Sequence, residues 1–134
     1  KPNYGWPIAS YGEHYDGFKN KIKYKKYPLL KPHKKYGFVE PIYAFVPSIA
    51  ISQIIQVPEE FSSRWQNSYL ITSLKGLSIY RVVFDENYSR IITMEKIKIG
   101  KRIRDISYNK KYNCFFLRFS SNLIFRLRTS FSKS

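Results

Sequence analysis

The chain lacks several features that define common protein classes. Cys114 is its single cysteine, so it can form neither an internal disulfide nor a cysteine-based metal site. No apolar run approaches the ~18 residues that a membrane-spanning helix needs. Only 9 of the 134 residues are acidic, against 24 lysines and arginines, which gives a formal net charge of +15. This excess favours an anionic partner, whether nucleic acid, a membrane surface or a small molecule.

Methionine is equally scarce. Met94 is the only one, and the chain opens on Lys1 and Pro2. We therefore expect a piece of a longer protein, whose signal region would lie upstream. The length fits one domain, and an apolar content of 43% is enough for a core. Twelve tyrosines and ten phenylalanines favour sheet over helix. Cys114 lies in an apolar segment and is expected to be a packed thiol.

The first 40 residues are predicted to form a long loop region. Residues 3–7 and 10–17 are rich in turn and aromatic residues and indicate structured loops. Residues 18–39 are dominated by Lys, Tyr and Pro, and Pro28 and Pro32 argue against a central strand. We interpret this stretch as an exposed excursion. Its alternation of Lys with Ile and Tyr leaves a second reading open, the stacking of single-stranded nucleic acid.

The remainder predicts an all-β meander, because apolar or alternating segments are separated by turns at intervals of eight to twelve residues. One blade is expected over residues 41–100 and a partial blade over 101–134. A connection over 58–67 carries Phe61 and Trp65 and is expected to lie over the sheet edge. The predicted strands are 41–46, 50–57, 69–74, 77–84, 91–99, 103–108, 113–119 and 123–128.

An internal repeat supports this organisation. A shift of 45 residues places Ile79-Tyr80-Arg81-Val82 on Ile124-Phe125-Arg126-Leu127. The same shift places Leu70-Ile71 on Phe115-Phe116, and Leu74 on Phe119. A period near 45 with about four strands per unit is typical of propeller blades. Two units cannot close a ring, so we expect the chain to be the last part of a larger propeller.

Three cations stand out at the predicted strand ends. Arg102 and Arg104 are two residues apart, so their side chains share one face of an extended strand. Two adjacent guanidinium groups repel each other unless an anion lies between them. Lys75, in the turn Ser73-Leu74-Lys75-Gly76, would add a third cation if the two turns meet in space. This pattern is typical of a polycarboxylate or phosphate site, although Arg-x-Arg in so basic a chain is also typical of a solvated face.

Ordered short motifs resemble the soluble quinoprotein glucose/sorbosone dehydrogenase family, particularly the C-terminal part of its aldose sugar dehydrogenase branch. They span nearly the whole chain except the Lys-rich stretch. The motifs are Asn3-Tyr4-Gly5-Trp6-Pro7, Ser10-Tyr11-Gly12 with Tyr15 and Gly17, Pro41-Ile42-Tyr43, Val46-Pro47-Ser48-Ile49-Ala50, Asn67-Ser68-Tyr69-Leu70-Ile71, Ser73-Leu74-Lys75-Gly76 and Arg102-Ile103-Arg104-Asp105.

The resemblance implies a six-bladed β-propeller, of which this chain would supply about one and a half to two blades. It also implies pyrroloquinoline quinone (PQQ) and calcium at the mouth of the ring. The implied reaction oxidises the anomeric hydroxyl of an aldose to a lactone and passes electrons to an external acceptor. A histidine base takes the hydroxyl proton while hydride passes to the quinone, which calcium polarises. A periplasmic or secreted location, without a membrane span, is implied as well.

Site residues follow from the same resemblance. The expected PQQ-binding residues are Tyr15, Ser73, Leu74, Lys75, Arg102, Ile103 and Arg104. Tyr4 is expected to give calcium a backbone oxygen. The catalytic histidine is expected upstream of this chain, because His14 and His33 do not lie in its motif. We therefore expect the chain alone to be inactive.

Two other functions remain open. The parent could be a degenerate, non-catalytic propeller that acts as an interaction module. Alternatively, the lysines between Lys19 and Lys35 could bind nucleic acid or another anion, although we prefer the interpretation as a solvated loop to one in which nucleic acid is the partner.

Overall fold

The computed structural model describes residues 1–6, 8–12 and 30–128. All of its strands pair in antiparallel fashion and form two sheets in simple meander order. Among the described residues, the only helices are two single-turn 3₁₀ segments, Lys34–Tyr36 and Ser63–Trp65. The first sheet contains β1 (Ile51–Gln56), β2 (Ser68–Ser73), β3 (Ser78–Phe84) and β4 (Ile91–Lys98), and the second contains β5 (Ile103–Asn109), β6 (Cys114–Phe119) and β7 (Ile124–Leu127).

Seven of the eight predicted strands are confirmed, with ends that differ from the observed ones by at most one residue. The predicted strand over 41–46 is wrong, because these residues belong to no strand. Pro41 and Pro47 bracket the segment, and neither has an N–H to donate to a sheet. Its aromatic and aliphatic residues mimic a strand in sequence, and Tyr43 and Phe45 instead pack edge to face at 4.9 Å.

The chain divides into two compact units, Lys1–Ser48 and Ile49–Ser134. In the first unit, a parallel bridge joins Ala9 and Leu30, with the Ser10 N–H donating to the Leu30 carbonyl at 2.9 Å. Tyr11 stacks on His33 at 5.1 Å and donates its hydroxyl to Glu40 at 2.9 Å. Residues 13–29 lie outside the described part, and with them His14, Tyr15 and most of the predicted Lys-rich excursion.

The core of the second unit lies between its two sheets. Leu70 and Ile79 of the first sheet face Ile103, Ile106, Phe115, Leu117 and Phe119 of the second. Phe61 lies in the connection between β1 and β2. Its side chain is buried in this core and meets the Phe115 ring edge to face at 4.7 Å. Cys114 is fully buried, which confirms the expectation of a packed thiol.

Strand registers test the predicted repeat. Tyr80 pairs with Ile71, and Phe125 pairs with Leu117. When β3 is matched to β7 at the predicted shift of 45 residues, Tyr80 corresponds to Phe125. These pairs also match Ile71 to Leu117, a shift of 46 for β2 and β6. The predicted match of Ile71 to Phe116 is therefore wrong by one residue. A slip of one residue in strand register would turn every side chain to the other face of the sheet. The two sheets are therefore related by different sequence shifts in different strands.

The core predicts a sharp contrast between two apolar residues of the second sheet. Leu117→Ala should reduce the free energy of unfolding by about 3 kcal/mol, because the fully buried side chain leaves a cavity. Ile124→Ala is the matched control and should cost less than about 0.5 kcal/mol, because Ile124 is 69% exposed. Urea unfolding of the chain measures both changes. Equal losses would contradict the observed packing.

The hydrogen bonds of Glu40 predict that the stability of the first unit decreases in acid. Its carboxylate accepts the Lys34 N–H at 2.7 Å and the Tyr11 hydroxyl at 2.9 Å, and the Lys34 hydrogen bond leads the effects that lower the pKa of Glu40. A lowered pKa means that the stabilisation is present at neutral pH and is lost as pH falls through the folded-state value. The melting temperatures of wild type and Glu40→Gln should thus differ at pH 7 and converge in acid, as the pH falls through the lowered pKa of Glu40. A difference that persists in acid would contradict this origin.

Candidate cofactor site

The turn between β2 and β3 presents Lys75 to solvent. Ser73 cannot offer a free hydroxyl, because its Oγ donates to the Ser78 carbonyl at 2.9 Å and the group is fully buried. Leu74 is half-buried, and its N–H donates to the Ala50 carbonyl at 2.8 Å. The Lys75 N–H donates to the Ile49 carbonyl at 3.0 Å, while its side chain is exposed. Of the three predicted cofactor residues in this turn, only Lys75 directs an available charged group outward.

Gly76 completes this turn for a steric reason. A Cβ at this position would lie 2.7 Å from Ser73 Oγ and 3.0 Å from the Tyr80 hydroxyl. Real Cβ atoms do not approach so closely, and the Ser73 hydroxyl is held by its own hydrogen bond to Ser78. The glycine therefore keeps the turn tight beneath Lys75.

Arg102, which directly precedes β5, and Arg104, which lies within it, are both exposed. The Ile103 side chain between them is fully buried in the core, so only its backbone could contact a ligand. The register shifts here, with Ile103 opposite Phe119 and Asp105 opposite Arg118. Arg104 is thus the extra residue of a β-bulge.

The bulge has a clear effect on the core. Without it, strict alternation would place Asp105 on the same face as Ile103. With the extra residue, Ile103 and Ile106 are both buried although they are three residues apart. Arg104 can therefore remain exposed while apolar residues on both sides of it enter the core.

Hydrogen bonds join the two turns that carry these cations. The Leu77 carbonyl accepts the N–H groups of Ile99 at 3.0 Å and Gly100 at 2.9 Å. Leu77 lies two residues after Lys75, and Gly100 lies two residues before Arg102. Gly100 has φ +78°, which suits glycine at this sharp entry to β5. The Lys75 turn and the arginine segment thus occur at the same end of the two sheets.

A second link lies deeper, between the first strands of the two sheets. Ser52 donates its hydroxyl to the Ile103 carbonyl at 2.7 Å and lies 2.9 Å from Thr72 Oγ1. Gln53 Oε1 accepts the N–H of Ile106 at 3.0 Å. Sequence reasoning missed Ser52, because a serine within a strand has no recognisable signature.

The site has a surplus of positive charge. Within the described ranges, neither Lys75, Arg102 nor Arg104 forms an ion pair with a carboxylate. Several described carboxylates instead pair with other cations. These pairs are Arg81–Glu95 at 2.9 Å, Arg90–Asp85 at 3.8 Å, Lys110–Glu60 at 3.7 Å and Arg118–Asp105 at 3.9 Å.

This donor set fits PQQ, which carries three carboxylates. Arginine binds a carboxylate through two parallel N–H···O bonds, and lysine adds a compact point charge. The cations are exposed and lie on turns that hydrogen bonds hold in place, so an anion can approach them without disturbing the core.

The residues described here do not form a calcium site by themselves. Tyr4 is 64% exposed, and no described residue donates a hydrogen bond to its carbonyl. However, Ca²⁺ takes six to eight oxygen ligands, and Tyr4 offers one. In the described part of the chain, no group of three His, Cys, Asp or Glu residues could hold a metal. Tyr15, the remaining predicted PQQ contact, lies outside that part.

His33 has a structural role in the described loop. It is buried, its Nδ1 lies 2.9 Å from the Lys31 carbonyl, and its ring stacks on Tyr11. Lys31, one of the excursion lysines, donates to the carbonyls of Tyr11 at 3.3 Å and Gly12 at 3.2 Å. These contacts hold the loop together.

Comparison with known proteins identifies the class. The family model described as glucose/sorbosone dehydrogenase matches residues 1–122. The chain belongs to this family, and the resemblance read from its motifs is confirmed.

Individual relatives support the family assignment. Aldose sugar dehydrogenase YliI of Escherichia coli is 29% identical over 106 residues, which are 78% of this chain and 26% of that protein. An uncharacterised Synechocystis protein is 26% identical over 120 residues, covering 90% of this chain and 27% of the relative. The chain therefore spans about a quarter of the length of these relatives.

Solved structures confirm the fold class, an all-β part of a propeller. A crystal structure of glucose dehydrogenase matches 96% of this chain with a TM-score of 0.72 at 20% identity, and the match covers 36% of that structure. The apo-form of the soluble aldose sugar dehydrogenase of Escherichia coli matches 87% of this chain with a TM-score of 0.66 at 23% identity, covering 31% of that structure. In the described part of the chain, no helix is long and apolar enough to cross a membrane.

Substitution of Ser52 tests how much its hydrogen bond between the two sheets contributes to stability. Ser52→Ala should lower the free energy of unfolding by about 1–2 kcal/mol, because the Ile103 carbonyl loses its donor. Ser107→Ala is the matched control, since Ser107 is exposed on β5 and should tolerate the change within about 0.5 kcal/mol. Urea unfolding compares the two variants. A loss at Ser52 no larger than that at Ser107 would contradict the structural role of this bond.

Proposed function

We propose that the parent of this chain is a PQQ-dependent dehydrogenase that oxidises the anomeric hydroxyl of an aldose to a lactone. The chain would supply one side of the PQQ site. The observation that carries this proposal is the exposed set of Lys75, Arg102 and Arg104, which have no carboxylate partner among the described residues, on two turns joined by hydrogen bonds. Membership in the glucose/sorbosone dehydrogenase family supports it.

The chain's own residues would bind and orient the cofactor. Arg102 and Arg104 would each direct N–H groups toward a carboxylate, and Lys75 would neutralise a further negative charge. The backbone of Ile103 would run between the two arginines. The tight turn formed by Ser73, Leu74 and Gly76 would fix the position of Lys75. When bound, PQQ supplies the hydride acceptor for the oxidation.

Other groups would come from the rest of the parent. Tyr4 would give calcium one backbone oxygen, and Tyr15 would add a PQQ contact from the loop. The general base, a histidine, would lie upstream, as would the remaining calcium ligands. An external electron acceptor would reoxidise the cofactor. We propose a periplasmic or secreted location on the basis of the family resemblance.

Charge removal at the site provides the test. In the full-length parent, Lys75→Ala should raise the Kd for PQQ about 10-fold and Arg104→Ala about 10- to 100-fold, because each removes a charge-assisted interaction. PQQ is titrated in the presence of calcium and followed by fluorescence quenching. Dye reduction with an aldose then reports turnover.

Lys111→Ala is the matched control. Lys111 is exposed in the β5–β6 turn, at the opposite end of the sheet, so its loss changes the net charge equally without touching the site. Its Kd should stay within about 2-fold of wild type. A wild-type parent that binds no PQQ would overturn the cofactor assignment. A parent that binds PQQ without oxidising any aldose would instead support the non-catalytic alternative.

A further inference from the structure

Ser120 contacts both arginine residues of the candidate site. Its N–H donates to the Arg102 carbonyl at 3.1 Å. Its hydroxyl oxygen accepts the Nε–H of Arg104 at 3.2 Å. Ser120 follows β6 directly and lies across from the β5 bulge that contains Arg104. One residue therefore holds the backbone before the bulge and the side chain at the bulge.

The backbone around Ser120 is itself fixed. The Asn122 N–H donates to the Phe119 carbonyl at 3.1 Å, and the Phe119 N–H donates to the Leu123 carbonyl at 3.0 Å. Asn122 has φ +58°, the left-handed conformation that asparagine tolerates in three-residue hairpin loops. Phe119 is anchored in the core. The hydroxyl of Ser120 is thus presented from a hydrogen-bonded hairpin.

The contact determines which donors of Arg104 remain available. A guanidinium has five N–H groups, one on Nε and four on the two terminal nitrogens. With Nε–H committed to Ser120, a carboxylate is bound through the terminal pair, end-on to the side chain. Holding Nε also limits rotation of the long side chain before the ligand arrives, which reduces the entropy lost on binding.

We infer that Ser120 is a positioning residue that orients Arg104 toward a carboxylate of the cofactor. This inference rests on the proposed PQQ function. Ser120 does not need to touch the cofactor, because its effect passes through Arg104.

The first experiment is a double-mutant cycle in the full-length parent, with PQQ binding in the presence of calcium as the readout. Ser120→Ala should raise the Kd about 3- to 10-fold, the loss expected for one ordinary, solvent-exposed hydrogen bond. Ser120→Thr keeps the hydroxyl and should stay within about 2-fold of wild type. Ser121→Ala, the neighbouring exposed serine, should also have no effect. In an Arg104→Ala background, Ser120→Ala should add less than about 2-fold.

A spectroscopic measurement tests the contact without PQQ. The Nε–H resonance of Arg104, identified by its loss in Arg104→Lys, should shift in Ser120→Ala and remain in place in Ser121→Ala. An unshifted resonance would overturn the inference, as would an effect of Ser120→Ala that is equally large without Arg104. A parent that binds PQQ equally well with and without the Ser120 hydroxyl would overturn only the role of Ser120. A wild-type parent that binds no PQQ would overturn the proposed function, and the role of Ser120 with it.

Discussion

The structure depends on side chains of β1 that satisfy backbone groups of β5. The two strands belong to different sheets and do not pair, so their facing N–H and C=O groups need other partners. Ser52 supplies a donor for the Ile103 carbonyl, and Gln53 supplies an acceptor for the Ile106 N–H. These bonds connect the first strand of one sheet to the first strand of the other. The apolar core between them then fills the remaining space.

The two sheets use one equivalent strand position in different ways. Ser52 and Arg104 occupy the same place in their sheets, since each is the residue passed over at a register shift near the start of the first strand. In the first sheet this place holds a small hydroxyl that bonds to the neighbouring sheet. In the second it holds a long cation that remains exposed. One structural position therefore serves packing in one sheet and is available for ligand binding in the next.

Much of the fold could be predicted from the sequence, because strand periodicity and turn residues identify seven strands with small errors at their ends. The register of β6 could not, since Phe115 and Phe116 are both apolar and either could face the core. The bulges add residues that no composition signal marks. Lys75 and the two arginines were identified from charge and spacing. Ser52, Ser120 and the Leu77–Gly100 link were not, because each of these contacts involves a backbone group and serine is common both within strands and in turns.

The surplus of positive charge at the site favours an anionic ligand. Two like charges 4 Å apart at a protein surface repel by about 4 kcal/mol at an effective dielectric constant near 20, and by less at larger separations. The chain does not relieve this repulsion with the neighbouring Asp105, whose carboxylate pairs with Arg118. Arg104 instead uses its Nε–H on the neutral hydroxyl of Ser120, which orients the guanidinium without cancelling its charge. Hydrogen bonds to neutral groups thus hold the cations in place and leave their charge intact. Such an arrangement is suited to binding an anion that enters from solvent.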